Sequence, residues 1–441
     1  MHKVVKFGGS SLSNSSQWIK VKNIIEADET RKIVVVSALG RDFEHATKIT
    51  DLLLLLATHL ELGIDHNALF QDIAKRHLEI KTELNLSNKI DVELAKIEKE
   101  LNKNISRDYL ISRGEYLSAF MMSEYLGYYF LDATKSIFVD YSGIVDYEKT
   151  SKAVNHVLEK HDKIVVPGFY ASTASSKVKL FSRGGSDITG SILAKALKAD
   201  IYENWTDVDG LAVSDPKLIE NVDLIKQITY SELRELSYRG ASIIHEETII
   251  PLLEDNIPLQ IKNTNNPSAI GTIISSSVDA LKNSKYITAI AGKKDYASFN
   301  IVKDSISSKI QVLTDVLKVF KKHNVNIENI PSGIDSFSVI VEGNQIIHSS
   351  FEMMNEIQNV TGVQEVSIED KIALIAVVGK NMANIPGVAG KLFTTLGNNH
   401  VNIKIIAQAS AELSIIIGVN NEDYNHAVNI IYSEFYLKNK E

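Results

Sequence analysis

The sequence predicts an α/β protein in two parts: a mostly parallel sheet sandwiched by helices over residues 1–280, and two tandem α+β modules of order βαββαβ over residues 286–441. The first part is predicted because short β-branched runs alternate with helical segments, as in parallel strands joined by crossover helices. The second part is predicted by an internal repeat. A polar, Ser-rich stretch over 275–285 is typical of a linker between them.

The predicted strands of the first part end in polar or glycine-rich stretches. Residues 3–7 lead into Gly8-Gly9, and residues 33–36 lead into Ser37. Ligands of open α/β sheets bind beyond the carboxyl ends of the strands, so these stretches are the first candidates for a site. Further predicted elements are strands at 137–139, 164–166, 178–181 and from 201 toward Thr206, a loop over 41–48, a helix starting near Thr50, and a helical hairpin over 64–104.

The repeat relates two segments at an offset of 76 residues, from Val312 to Val388. Each copy has a predicted helix, then Val-Asn-Ile at 325–327 or 401–403, then a strand and a second helix. We expect modules at roughly 286–365 and 370–441, either consecutive or interleaved, that sense a ligand or form a dimer. The matched apolar positions lie on one helical face: Val312, Val316, Leu317 and Phe320 with Val388, Leu392, Phe393 and Leu396.

Composition excludes several classes of function. Of the 441 residues, 44% are hydrophobic and 23% charged, which is ordinary for a globular protein. A net charge of −8 argues against nucleic-acid binding, and the absence of cysteine excludes disulfides, thiolate catalysis and zinc–thiolate sites. Because the N-terminus enters a strand directly and no apolar run could span a bilayer, we expect a cytoplasmic protein without membrane contact.

Two glycine pairs are the strongest chemical signals. Lys6 precedes Gly8-Gly9, where N–H groups and an ammonium can approach a phosphate. Arg183 precedes Gly184-Gly185, and the helical pattern that follows opens an anion site at a helix N-terminus. Arg183 can hold a carboxylate in a two-pronged contact, and Asp187 can receive an amino group. Alone, the first pair is more typical of a plain turn, and the second is equally typical of a capped helix start.

Other polar residues are less specific when taken singly. Glu115 is predicted in the first turn of a helix that opens at Arg113, where a carboxylate often only complements the helix dipole. Thr206-Asp207 is suited to a ribose, a magnesium water shell or an Asx turn, and Lys262 to a nucleotide or to solvent. Together they favour phosphoryl transfer to a small carboxylate-bearing acceptor, a reaction that needs positioning and positive charge.

Four motifs in this order resemble the aspartokinase family: Lys6-Phe7-Gly8-Gly9-Ser10-Ser11, Ser112-Arg113-Gly114-Glu115, the stretch 181–187 and Thr206-Asp207-Val208-Asp209-Gly210. The resemblance runs nearly from end to end. It implies an amino-acid-kinase fold with paired C-terminal ACT domains, ATP and Mg²⁺ as cofactors, and L-aspartate as acceptor. The implied product is 4-phospho-L-aspartate, in the first step of lysine, threonine and methionine biosynthesis.

The resemblance also implies residue roles. Lys6 would neutralise the transferring phosphoryl, with Asp187 as its catalytic companion. The metal would be carried by the ATP phosphates, with no direct protein ligand. The implied contacts are Gly8, Gly9 and Ser10 with the phosphoryl; Ser37, Thr50, Glu115, Arg183, Gly184, Gly185, Ser186 and Asp187 with aspartate; and Thr206, Asp207, Lys217 and Lys262 with the nucleotide.

Three positions depart from the family pattern. Ser242 stands where relatives often carry a lysine, Lys217 where arginine is frequent, and Ala212 where tyrosine is frequent. The missing positive charge would then come from elsewhere, with Lys262 and Lys217 as candidates. These departures concern the adenine and phosphate contacts more than the aspartate contacts.

Regulation is expected at the first ACT module. Glu328, Ser332 and Asp335 resemble the effector site of lysine-inhibited relatives, with threonine an open alternative, and we expect a homodimer or homotetramer built through the ACT domains. The competing functions are another amino-acid kinase, with glutamate or acetylglutamate as acceptor, and a non-catalytic amino-acid sensor.

Overall fold

The computed structural model of the chain describes residues 2–182, 184–240, 244, 246–277, 287–304, 308–380, 382, 385–408 and 413–438. Arg183, Ser242 and most of the predicted linker lie outside the described residues. The chain forms two compact units, one of residues 1–211, 224–230 and 243–278, the other of residues 212–223, 231–242 and 279–441. Two short segments of the predicted N-terminal domain thus belong to the second unit, and the predicted domain bounds stay a prediction.

The first unit is built on an eight-stranded sheet in which neighbouring strands are parallel, except that β10 (Leu259–Asn263) and β11 (Thr272–Ser275) are antiparallel. Buried β-branched residues fill its central strands, as expected for a sheet covered on both faces. In spatial order the strands are β3 (Tyr129–Phe130), β5 (Ile164–Pro167), β2 (Arg31–Val36), β1 (Lys3–Phe7), β8 (Ile201–Thr206), β10 (Leu259–Asn263), β11 (Thr272–Ser275) and β9 (Gln227–Thr229).

Helices cover this sheet, and two predictions about their surroundings need correction. The helix that carries Glu115 begins at Arg107, capped by Ser106, so Glu115 lies in its interior and not in a first turn. The predicted strands at 137–139 and 178–181 belong to a separate three-stranded sheet. That sheet comprises β4 (Phe138–Val139), β6 (Tyr170–Thr173) and β7 (Val178–Leu180). The helices are α1 (Ser15–Glu26), α2 (Ile49–Leu62), α3 (Asn67–Glu83), α4 (Lys89–Glu100), α5 (Arg107–Leu126), α6 (Ala133–Ser136), α7 (Tyr147–Leu158), α8 (Gly185–Ala196) and α10 (Glu246–Glu254).

The second unit contains one antiparallel six-stranded sheet shared by both repeats. Its strands in spatial order are β13 (Ile327–Asn329), β14 (Ser336–Glu342), β12 (Ala289–Lys303), β15 (Val363–Val378), β17 (Ser414–Asn420) and β16 (Ile405–Gln408). Its helices are α9 (Tyr230–Tyr238, whose first residue belongs to the first unit), α11 (Lys309–Lys322), α12 (Ser350–Gln358), α13 (Val388–Asn398) and α14 (Tyr424–Tyr432), which continues as a π-helix over Ser433–Leu437.

The two repeats are interleaved through the long strands β12 and β15. Residues 289–293 of β12 pair with 374–378 of β15, beside β17, whereas residues 296–302 pair with β14 and with the first half of β15. The register shifts between the two halves, at residues 293–298. The helical faces that define the repeat are buried, including Val312 and Val316 of α11 and Leu392 and Leu396 of α13.

A buried carboxylate ties together the amino ends of the central strands of the first unit. Glu203 of β8 is 1% exposed and accepts hydrogen bonds from Lys3 (3.0 Å), Arg31 (2.8 Å) and the Trp205 indole (2.9 Å). Burial opposes ionisation, but the hydrogen bonds and charges of Arg31 and Lys3 outweigh it and lower the pKa of Glu203. The ion pairs therefore stabilise the sheet only while this carboxyl is charged.

We expect Glu203→Gln to reduce the free energy of unfolding by about 3–5 kcal/mol at pH 7, because it leaves two cations facing an uncharged buried partner. The folded pKa is lowered, so the contribution is present above the unfolded value of about 4.3 and is lost as the pH falls through the folded value. Thermal unfolding from pH 7 to pH 3 measures this. The control is Glu148→Gln, which removes an exposed pair with Lys152; equal losses in both variants would contradict the prediction.

Candidate active site

The register of β1 against β8 places Lys6 beside Asn204, and both contact the predicted catalytic residue Asp187. Lys6 pairs with Asn204 across the parallel strands, and both side chains are buried. The Lys6 Nζ atom lies 2.5 Å from Oδ1 of Asp187, which projects from the first turn of α8. The Asn204 amide donates to the same oxygen over 3.1 Å and its own oxygen lies 3.5 Å from Lys6 Nζ. A buried ammonium is thus fixed by a carboxylate and an amide.

The first glycine pair forms a turn directly after β1. The Gly8 N–H donates to the Trp205 carbonyl over 3.0 Å and extends the sheet, so it is not free for a phosphoryl as the resemblance implied. Gly9 opens a short 3₁₀ helix, Gly9–Leu12, and the first N–H groups of such a helix, those of Gly9 and Ser10, have no acceptor within it. These two groups are therefore the ones suited to an anion.

The turn is held by close backbone packing against residues 38–40. The Gly40 N–H donates to the Gly9 carbonyl over 2.9 Å, and a Cβ on Gly40 would lie 2.4 Å from the Gly9 carbonyl carbon. Arg76 of α3 donates to the Gly40 carbonyl (2.5 Å) and to the Thr47 carbonyl (2.8 Å), and burial lowers its pKa. Arg76 is not predicted from the sequence, because the helical hairpin over 64–104 shows only a charged face.

The second glycine pair starts α8. Gly184 adopts φ +79° at the N-cap, a left-handed conformation that glycine reaches without strain. A Cβ on Gly185 would lie 2.3 Å from the Phe169 ring, and one on Gly168 would lie 2.6 Å from Ser186. The turn over 168–169 therefore packs on the start of the helix and fixes the direction of Asp187.

Glu115 is a buried carboxyl beside this constellation. Burial raises its pKa to about 8, against the opposing effects of a hydrogen bond from the Ala38 N–H and of the charge on Lys6. Its Oε2 atom has no hydrogen-bond partner among the described residues. Helix α5 approaches closely here, since a Cβ on Gly114 would lie 2.9 Å from that of Ala38. The site thus contains a carboxyl that a bound cation would ionise.

Two further predicted residues line the same loops. Ser37 is half-buried, and its N–H donates to the Phe7 carbonyl over 3.2 Å. Thr50 is the second residue of α2, whose first N–H, that of Ile49, donates to the Leu39 carbonyl. Both positions therefore adjoin the loop that packs on Gly9.

The predicted nucleotide residues are not all together. Thr206 and Asp207 lie at the carboxyl end of β8, where the Thr206 hydroxyl donates to Asp207 over 3.1 Å. Lys262 pairs with Trp205, one residue from Asn204, and so lies on the face of the sheet opposite Lys6. Its Nζ atom stands 5.0 Å from the Trp205 ring centroid, and burial lowers its pKa. Lys262 does not join Lys6 at Asp187, and Lys217 belongs to the second unit.

The predicted effector residues of the second unit already have partners within that unit. Arg239 lies 3.2 Å from the Glu328 carboxylate, and Lys303 lies 3.1 Å from Asp335. Burial raises the pKa of Glu328, while the Arg239 charge opposes that rise. The Ser332 backbone forms an isolated antiparallel β-bridge with Phe337.

Comparison with known proteins shows two matching domain families. Residues 1–263 match the amino acid kinase family, and residues 375–435 match the ACT domain. The fold and the site therefore define an amino-acid kinase with a C-terminal ACT region. Among the described residues, none of the helices combines the length and the apolar character needed to cross a bilayer.

Individual relatives narrow the class. Aspartokinase 3 of Bacillus subtilis is 35% identical over 452 residues, covering 98% of each chain. The crystal structure of Clostridium acetobutylicum aspartate kinase is 41% identical with a TM-score of 0.90, covering 98% of this chain and 99% of that one. Escherichia coli aspartokinase III, solved with aspartate and ADP, shares the fold at 23% identity and a TM-score of 0.76, covering 99% of this chain and 100% of that one. The chain belongs to the aspartokinase family of ATP-dependent aspartate kinases.

We expect Glu115→Gln to stabilise the ligand-free protein at high pH. The folded pKa of about 8 exceeds the unfolded value of about 4.3, so the native state loses stability as the pH rises between the two. The variant lacks this loss. Its melting temperature should match the wild type near pH 4.5 and exceed it at pH 9. A difference that does not vary with pH would contradict the raised pKa.

Proposed function

We propose that the chain transfers the γ-phosphoryl group of ATP to the side-chain carboxylate of L-aspartate, forming 4-phospho-L-aspartate and ADP. This is the first step of lysine, threonine and methionine biosynthesis in the family. The observation that carries the proposal is the contact of the buried Lys6 with Asp187, next to the Gly9-Ser10 turn and to Glu115, on which the charge of Lys6 acts. The Bacillus and Clostridium relatives support the choice of aspartate.

The chemistry requires positioning more than proton transfer. An aspartate side chain is ionised at neutral pH, so its oxygen attacks phosphorus without a general base, and the electron pair of the breaking P–O bond leaves with ADP. Lys6 is buried, where its charge acts through a lower effective dielectric on the phosphoryl oxygens. The N–H groups of Gly9 and Ser10 add fixed dipoles to the same stabilisation.

Two carboxyl groups and one guanidinium are suited to recognise the acceptor. We propose that Glu115 and Asp187 bind the ammonium group of aspartate and that Arg183 binds its α-carboxylate. An incoming cation favours the charged form of Glu115, whose Oε2 lacks a partner among the described residues. Ser37, Thr50, Gly184, Gly185 and Ser186 complete the proposed aspartate pocket.

The nucleotide is assigned to the carboxyl end of β8 and its surroundings. Thr206 and Asp207 end that strand with oxygen atoms suited to ribose or to hydrated metal, and Lys262 remains a proposed nucleotide contact. Mg²⁺ carried by the ATP phosphates would spread positive charge over the transferring group.

Other functions fit less well. The ACT region fits an aspartate kinase better than a glutamate kinase, and an acetylglutamate kinase would have no use for two carboxyls that face an ammonium group. A non-catalytic sensor would not need a lysine buried against Asp187. These alternatives make different predictions for acceptor turnover.

With ATP, aspartate and hydroxylamine, we expect the wild type to form aspartyl hydroxamate and Lys6→Ala to lose about 10²–10³-fold in kcat, because a charge acting on the transition state is removed. The matched control is Lys32→Ala on β2, whose lysine pairs with Asp162 on the surface. Turnover of glutamate or N-acetylglutamate in place of aspartate would overturn the proposal. Retained kcat in Lys6→Ala would overturn the role of Lys6.

We further propose that lysine inhibits the enzyme through Glu328, Ser332 and Asp335 in the first ACT module, and that the ACT modules join two or four chains. The Glu328 carboxylate, whose side chain is only 9% exposed, suits the cationic end of lysine. Its pairing with Arg239 means that lysine competes with an internal guanidinium. Threonine remains the alternative effector.

We expect Arg239→Met to be inhibited at lower lysine concentrations than the wild type, because the effector no longer displaces a guanidinium from Glu328. Inhibition curves of the full-length enzyme measure this, with Lys322→Met, an exposed partner of Glu356, as control. Weaker inhibition in Arg239→Met would contradict the competition. Inhibition by threonine and not by lysine would contradict the effector assignment.

A further inference from the structure

Asn204 is a buried amide that touches both members of the Lys6–Asp187 pair. It is 5% exposed and lies on β8, between the buried aromatic residue Trp205 and Glu203. Its Nδ2 atom donates to Asp187 Oδ1 over 3.1 Å, and its Oδ1 atom lies 3.5 Å from Lys6 Nζ, at the long end of hydrogen bonding. None of the four sequence motifs includes this residue.

The two contacts fix the orientation of the amide. A carboxylate only accepts hydrogen bonds and an ammonium only donates them, so the NH₂ group must face Asp187 and the carbonyl must face Lys6. Leucine, of similar size, offers neither contact. Aspartate would set a second carboxylate against Asp187. Asparagine is therefore matched to a site that holds a cation and an anion side by side.

Both contacts use the same oxygen of the Asp187 carboxylate. Oδ1 receives both Lys6 and Asn204, whereas no contact to Oδ2 is found within the described part of the chain. The Asp187 side chain is 19% exposed, so one edge of the carboxylate remains open to a ligand. The amide thus fixes which oxygen is used internally and which is available.

We propose that Asn204 is a positioning residue for phosphoryl transfer: it holds the Asp187 carboxylate so that Oδ1 keeps the Lys6 ammonium in place and Oδ2 is presented to the ammonium of the acceptor. This inference rests on the proposed function for its acceptor. The charged groups around the amide are Lys6 from β1 and Asp187 from α8, and the charge of Lys6 also acts on Glu115 of α5.

The test is a double-mutant cycle between Asn204→Leu and Asp187→Asn. We expect Asn204→Leu to lower kcat about 10–100-fold, the range of misplaced catalytic groups, while the KM for ATP changes less than about twofold. In the Asp187→Asn background the same substitution should have almost no further effect, since the carboxylate it positions is already gone. Additive losses, or an unchanged kcat in Asn204→Leu, would overturn the inference.

Two further variants separate positioning from folding. Ser191→Ala removes a buried hydrogen bond in α8, from Ser191 to the Ile188 carbonyl, and should leave kcat unchanged. Asn204→Asp keeps the size of the side chain and should lower kcat as well, because two carboxylates then compete for Lys6. Melting temperatures identify any variant that unfolds, and full activity in Asn204→Asp would also overturn the inference. The series uses the acceptor that the wild type phosphorylates, so a different acceptor refutes the proposed function without deciding the role of Asn204.

Discussion

A buried ammonium and a partly exposed carboxylate, 2.5 Å apart, are the constraint on which the first unit depends. Such a pair is stable only when its geometry and remaining hydrogen bonds offset the loss of hydration. The register of β1 on β8 supplies Lys6, the left-handed Gly184 directs α8, and Asn204 completes the hydrogen bonding. A slip of one residue in that register would turn Lys6 to the opposite face of the sheet.

Close contacts between backbones hold the surroundings of the pair. Gly9 meets Gly40, Gly114 meets Ala38, and Gly185 meets Phe169, at separations that leave no room for a Cβ without movement. Arg76 adds charged donors to two carbonyls of the same loops. The N–H groups and the carboxyl that face the site are therefore oriented before any ligand arrives, which is what electrostatic catalysis requires.

The sequence predicted most of the architecture. The spacing of apolar residues indicates which faces of helices and strands are buried, and the repeat at an offset of 76 residues indicates two modules of similar structure. The sequence identified Lys6 and Asp187 as candidates because charged residues beside glycine-rich turns are local signals, and Glu115 because it belongs to the motif at 112–115. It did not identify Asn204, whose role depends on a register between strands almost 200 residues apart. For the same reason it did not show that the Gly8 N–H belongs to the sheet, or that Lys262 lies on the opposite face from Lys6.

The pairing of β12 with β15 gives the second unit an unusual continuity. Lys293 and Leu374 are direct neighbours across the two strands, so everything between them occupies the place of a hairpin loop. The first repeat is in effect a guest domain inserted into a turn of the second, and both of its ends enter along continuous strands, each with a left-handed residue, Asp295 or Lys371, at the register shift. A change of twist in the guest would pass along the two strands into its host as a torsion of one sheet.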